Sequence, residues 1–225
     1  MSKPVLAFSC THAPAMHRGF IKFLKSVERK YDCGRVVHLG DMVDWNAISF
    51  HEKDPSLPSA EMEYKQAKKQ VRQLHKAFPK LDYLVGNHCG LVQRKAATVG
   101  LPELALMPFK KLWELDGWKI HPRFSDLHIN GVIYRHGDKG KGGIMAAGKN
   151  AQAEFSSLVQ GHFHAQAGVV YHANKGKCVF GMQVGCGVDH DHPAMGYGRV
   201  YSAKPIVGCG VVHNSTQATF VPMPL

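Results

Sequence analysis

Val36-Val37-His38-Leu39-Gly40-Asp41-Met42-Val43-Asp44 is the stretch on which the reading of the fold turns. It opens as a short, β-branched apolar run and breaks off at Gly-Asp. Flanked by Cys33-Gly34 before and a polar turn after, such a run reads as a buried strand of a layered sheet. In sheets of that kind, ligands bind beyond the carboxyl ends of the strands, where loops present side chains. Asp41 stands at that end, behind a glycine that lets the chain turn tightly. Four other apolar runs end in the same way, on residues able to bind a metal. Residues 4–9 lead to Cys10 and His12, and residues 82–85 to Gly86-Asn87-His88. Residues 127–135 lead to His136-Gly137, and residues 157–160 to Gly161-His162-Phe163-His164.

Between these strands the periodicity predicts helices. Residues 16–30 carry Phe20, Phe23, Leu24 and Val27 at three-to-four spacing, which gives a β-α-β start suited to a parallel pair with a right-handed crossover. Ser59 is placed to cap a helix running to about residue 78, with Met62, Val71, Leu74 and Phe78 on its apolar side. The opposite face, with Lys65, Lys68, Lys69, Arg72 and Lys76, reads as a solvated charge run. Residues 91–118 read as mainly helical, broken at Gly100-Leu101-Pro102 and Pro108. They are taken as a helical insertion in a single domain spanning 1–225, because no flexible linker borders them. Short strands are expected at 169–172, 178–184, 206–212 and 219–223.

The chain has 225 residues, 44% of them hydrophobic and 20% charged, enough for one sizeable core and short for two. No apolar run approaches the ~20 residues of a membrane span. Val5 to Phe8 is too short for the apolar region of a secretory signal. Six scattered cysteines lack a C-x-x-C pair, which fits free thiols in a reducing compartment. The expectation is a cytoplasmic protein with no membrane partner. A formal charge of +11 suggests an anionic partner, either nucleic acid or another phosphorylated substrate, although a soluble basic protein would carry such a charge too.

The strand-end loops thus offer Cys10, His12, Asp41, Asp44, Asn87, His88, His136, His162 and His164. Imidazole, carboxylate and amide-oxygen ligands suit Zn²⁺, Mn²⁺ or Fe²⁺. The order x-x-H, G-D-x-x-D, G-N-H, H-G and G-H-x-H resembles that of the calcineurin-like metallophosphoesterases, over roughly residues 4–190. The spacings are similar to those of small stand-alone members from bacteria and phages. The resemblance implies a four-layer α/β/β/α sandwich of two mixed sheets with flanking helices. It also implies two divalent ions (Zn, Mn or Fe) that activate a hydroxide for attack on a phosphoester. Carried onto this chain, His12 and His164 would hold the first ion, with Cys10 where the family has aspartate. Asn87, His136 and His162 would hold the second, and Asp41 would bridge the pair. His88 would face the substrate as acid or transition-state stabiliser, oriented by Asp44. Cys89 replaces the acidic residue usual after Gly-Asn-His.

Cys10 admits two readings, as a thiolate ligand favouring zinc or iron, or as a small buried apolar residue. As a ligand it would be open to oxidation, with Cys89 nearby. Lys139 and Lys141, just after His136, either contact substrate phosphate or belong to a solvated glycine loop. Asp189-His190-Asp191-His192 reads as a surface turn despite its metal-like composition. The functional expectation is a phosphodiesterase acting on nucleic acid or a nucleotide. The alternatives are a phosphomonoesterase or protein phosphatase, a degenerate scaffold that binds without turnover, and a nucleic-acid-binding protein with structural metals.

Overall fold

The computed structural model describes residues 2–51, 55–198 and 202–224. Two sheets stack face to face. The first has the order β11-β10-β1-β2-β3-β4. Its strands are β1 (Val5–Phe8), β2 (Arg35–His38), β3 (Asp82–Leu84), β4 (Lys119–His121), β10 (Gly208–Asn214) and β11 (Gln217–Pro222). Strands β1 to β4 run parallel, and β10 and β11 close the far side antiparallel. The second sheet has the order β5-β6-β7-β9-β8. It is built from β5 (Leu127–Ile129), β6 (Val132–Arg135), β7 (Ser157–Gln160), β8 (Ala167–Ala173) and β9 (Cys178–Val184). Here β6, β7 and β9 are parallel and both edges are antiparallel.

The layering follows from the period-two alternation of strand side chains. On β1, Val5 and Ala7 join Val37, Leu39 and Leu84 in a core facing Val132, Tyr134, Val159, Phe180 and Met182 of the second sheet. Leu6 and Phe8 point the other way, onto α1 (Phe20–Lys30) and α2 (Ala60–Ala77), where they pack with Phe20, Leu24, Val71 and Leu74. Ile133 and Leu158, on the outer face of the second sheet, meet Ala151 of α5 (Ala146–Ala153). The result is the expected four-layer α/β/β/α sandwich.

Several elements depart from the sequence reading. Residues 127–135 form a hairpin and not a single strand, because Asn130 (φ 50°) and Gly131 (φ 77°) make a tight turn between Ile129 and Val132. Two successive positive φ angles are what a two-residue hairpin turn needs, and Asn-Gly supplies them. Strand β4 was not expected, since Lys-Ile-His carries no pattern of its own. Ser59 does cap α2, accepting from the Met62 N–H at 3.4 Å. Met62 itself is 48% exposed, and the buried stripe is Glu63, Ala67, Val71 and Leu74. Glu63 tolerates burial because its carboxylate accepts from the backbone N–H of Asn46 (2.7 Å) and Ala47 (2.9 Å). On the basic face, Lys68 and Arg72 pair with Glu114 and Lys65 with Glu61, so part of that charge is spent within the fold. Residues 91–118 contain α3 (Leu91–Thr98), a short 3-10 turn (Glu103–Ala105) and α4 (Phe109–Trp113). Trp113, Leu115 and Trp118 are buried in the main core. Among the described residues no helix is long and apolar enough to cross a membrane.

Candidate metal centre

All five loops flagged in the sequence leave the carboxyl ends of parallel strands (β1, β2, β3, β6 and β7), and the sandwich brings those ends together. The loops after β1 and β2 are zipped by the N–H groups of Cys10, His12 and Ala13, which donate to the carbonyls of Gly40 (2.8 Å), Asp41 (3.0 Å) and Met42 (2.8 Å). The loops after β6 and β7 are tied by Gly161 N–H to His136 O at 2.9 Å. Backbone conformation at the site is unusual. Cys10, His12, Asp41, Trp45 and His162 have φ of 53°, 44°, 53°, 55° and 71°. Non-glycine residues in this region cost about 1–3 kcal/mol each and persist where their surroundings over-determine them. Two glycines explain themselves by close approach. A Cβ on Gly40 would lie 2.5 Å from His136 Nδ1, and one on Gly86 would collide with Asp41 Oδ1.

Among the described residues three groups of ligand atoms form here, and Cys10 belongs to two of them. In the first, ligand atoms of Cys10, His12 and His164 lie within 4.8 Å of one another. His12 is 1% exposed, and its Nδ1 donates to Asp44 Oδ1 at 2.7 Å. Its Nε2 is buried without a hydrogen-bond partner. A carboxylate that holds one ring nitrogen while the other is left over is the usual support of a metal-binding histidine.

In the second cluster the Cys10, Asp41 and His136 ligand atoms lie within 4.8 Å of one another. His136 Nδ1 faces Leu39 O at 2.7 Å, and a carbonyl can only accept, so Nδ1 is the donor. The other nitrogen, Nε2, then faces two acceptors, Asp41 Oδ2 at 3.0 Å and Asn87 Oδ1 at 2.9 Å. Only a cation reconciles three such atoms, either a proton on Nε2 or a metal ion among them. Accordingly, burial works against protonation of His136, but the Asp41 carboxylate outweighs it and raises the pKa. The His162 ring lies across that of His136 with centroids 5.1 Å apart. Burial and the His136 charge push its pKa down to about 4. Burial, together with His12, also depresses His164.

His12 also forms a group with Asp44 and His88. Asp44, 1% exposed, accepts from His88 Nδ1 at 3.1 Å as well as from His12. His88 Nδ1 also reaches the Asp44 carbonyl at 2.8 Å. Burial opposes charge on His88, but the Asp44 hydrogen bond and the Asp41 carboxylate prevail, and its pKa is pushed up to about 9. The orphaned His12 nitrogen, the acceptors around His136 Nε2 and the N, O and S donor set all fit divalent metal ions.

Other flagged residues lie elsewhere. Cys89 is buried with its thiol at the Tyr83 hydroxyl (2.8 Å) and Val43 O (3.8 Å), so it is a core residue and not a second thiol of the site. Lys139 spends its ammonium on Phe124 O (2.6 Å) and Asp126 (3.1 Å). Lys141 is exposed, and its backbone is held by the Asn150 side chain through bonds of 2.7 and 3.1 Å. Asp189 to His192 form a turn, with Asp191 N–H donating to Asp189 Oδ1 at 3.1 Å. Sequence reading passed over Arg94, whose guanidinium donates to Asn87 O at 3.5 Å beside the exposed Phe50 ring. It also passed over Arg123, which pairs with Asp138 at 2.8 Å. Arg94 lies on a helix whose pattern gives no sign of a site and Arg123 on a patternless stretch, whereas His136-Gly137-Asp138 could have flagged Asp138.

Motif order, strand order and the position of every motif at a parallel strand end now coincide. This is the arrangement that the resemblance to the calcineurin-like metallophosphoesterases implies. No family model matches the chain, and no curated protein matches it in sequence. Among solved structures, a metallophosphoesterase from Sphaerobacter thermophilus is similar at 12% identity and TM-score 0.49, over 100% of this chain and 89% of that one. YfcE, a phosphoesterase from E. coli, is similar at 13% identity and TM-score 0.45, over 92% and 87%. Vacuolar protein sorting 29 from Cryptosporidium parvum is similar at 11% identity and TM-score 0.46, over 98% and 96%.

Proposed function

We propose that the chain is a metal-dependent phosphoesterase acting on a phosphodiester. The observation that carries this reading is the pairing of two ligand clusters side by side, one with an orphaned imidazole nitrogen and one with an imidazole facing two acceptors. Cys10, His12 and His164 would hold one ion, and Asp41, Asn87, His136 and His162 the other. A pair of divalent ions would supply a nucleophile active at neutral pH and positive charge for the phosphoryl oxygens.

The protein's own groups do the rest. Asp44 orients His12 and His88 together, so a metal ligand and a substrate-facing imidazole share one anchor. His88, held by Asp44 at 2.8 and 3.1 Å, is placed to hold a proton for the leaving oxygen or to steady charge on the phosphoryl group. The Leu39 carbonyl fixes the tautomer of His136. The substrate is anionic and extended, with nucleic acid or a nucleotide as the class. The net charge of +11 supports this, as does Arg94 beside Asn87. Lys139 would contribute only by leaving Asp126.

The test is hydrolysis of a panel of monoesters and diesters by protein stripped of metal and then reloaded with Zn²⁺, Mn²⁺ or Fe²⁺. The reading predicts diester hydrolysis that disappears on stripping and returns on loading. Metal uptake without turnover on any ester would instead make the chain a binding scaffold.

A further inference from the structure

The two clusters have one residue in common, and it is Cys10. Its sulfur lies within 4.8 Å of the ligand atoms of His12 and His164 on one side and of Asp41 and His136 on the other. Ligand atoms bound to a single zinc at roughly 2.0–2.3 Å are at most about 4.5 Å apart, so both sets are close to the size of one coordination sphere.

Asp41, the residue that the family resemblance makes the bridge, uses one oxygen on the backbone and turns the other into the site. Its Oδ1 accepts the backbone N–H groups of His88 (2.8 Å) and Cys89 (3.4 Å). Its Oδ2 faces His136 Nε2 at 3.0 Å, on the side of the second cluster. One carboxylate oxygen is thus held by backbone, and the other remains for an ion.

The sulfur too is set up as an acceptor. Cys10 is fully buried, at φ 53°, and the His162 N–H donates to its Sγ at 3.3 Å. Ser9 Oγ lies 3.0 Å from the same atom. His12 Nε2, buried and without a partner, completes the set from the first cluster.

We infer that the Cys10 thiolate is shared between the two metal ions, as a bridge beside Asp41. This rests on the two-ion reading above. On loading, the thiol proton leaves to solvent and sulfur bonds form to both ions. A sulfur with several lone pairs can bond two ions, and its softness favours zinc or iron over magnesium in both positions.

X-ray absorption at the zinc edge of the wild-type protein loaded with zinc tests this, with metal content and diester hydrolysis measured on the same sample. A shared thiolate gives about one sulfur at about 2.3 Å per zinc, while a terminal one gives about half that. Cys10→Ser should abolish the sulfur shell and lower the content of both ions. About half a sulfur per zinc, or none, in active two-zinc protein would overturn the sharing and leave the phosphoesterase intact. A protein that takes up no pair of ions would overturn both.

Discussion

His12 donates through Nδ1 to Asp44 Oδ1 at 2.7 Å, and both side chains are 1% exposed. The pair fixes which nitrogen of His12 remains for an ion, and Asp44 serves His88 in the same way. Asp44→Ala should therefore cost about 10–100-fold in affinity for the first ion, the usual effect of removing such support. Asp44→Asn, which can still accept, should cost less. Chelator competition on the two variants checks this, and wild-type affinity in Asp44→Ala would refute the role of the pair.

Asp41 and His88 should separate binding from chemistry. Asp41→Asn removes the charge opposite His136 and is expected to abolish turnover together with second-site metal. His88→Asn should keep its metal and lose about 10²–10⁴-fold in turnover, as expected for a positioned acid. Metal analysis alongside kinetics reads both. Near-wild-type hydrolysis by Asp41→Asn is the outcome that would break the assignment.

The basic rim should matter for long substrates. Each phosphate contact adds counterion release, so oligonucleotide binding should weaken steeply with salt. Arg94→Glu with Lys141→Glu should reduce oligonucleotide hydrolysis more than that of a small chromogenic diester, and should flatten the salt dependence. Lys139→Ala should change thermal stability more than either activity, because its ammonium is paired with Asp126. Equal losses on both substrates would remove nucleic acid as the substrate class.

A buried imidazole outside the metal clusters should make the fold acid-sensitive. His38 is fully buried, accepts from Gly40 N–H at 3.1 Å, and has its pKa pushed down to about 3 by burial. Between its unfolded value near 6.5 and about 3, the unfolded chain binds a proton that the folded chain excludes, so stability falls as pH falls. From pH 7 to pH 5 the loss from this group is about 2 kcal/mol. In denaturant melts, wild type should lose about 2 kcal/mol more than His38→Gln between the two pH values. Parallel curves would assign the acid sensitivity to other groups.

Much of this site is legible in the sequence because most candidate ligands follow an apolar run that breaks beside a glycine, and a parallel sheet gathers such ends. Asp41, Asn87, His136 and the pair His162 and His164 are of this kind. The cations of the neighbouring loops and helix were harder to read. Lys139 sits in the right loop, yet Asp126, on the other side of a hairpin, claims its charge. Arg94 reaches Asn87 from a helix whose pattern says only that it is amphipathic. Cys89 follows a metal motif, but Tyr83 and Val43 turn its thiol inward, a contact that no spacing reveals. Strand β4 is set by its neighbour β3 and not by its three residues. Glu63, in a helix's apolar stripe, is explained only by the turn at Asn46 and Ala47 that it caps.

The central claim is a pair of metal ions held between the Cys10–His12–His164 and Asp41–Asn87–His136–His162 groups and needed for phosphoester hydrolysis. Metal titration into stripped protein, with diester hydrolysis followed in the same solution, addresses it most directly. The account predicts that activity appears as the second ion binds and saturates at a pair of ions per chain. Full activity in metal-free protein, or with Asp41→Asn and His136→Ala together, would contradict it.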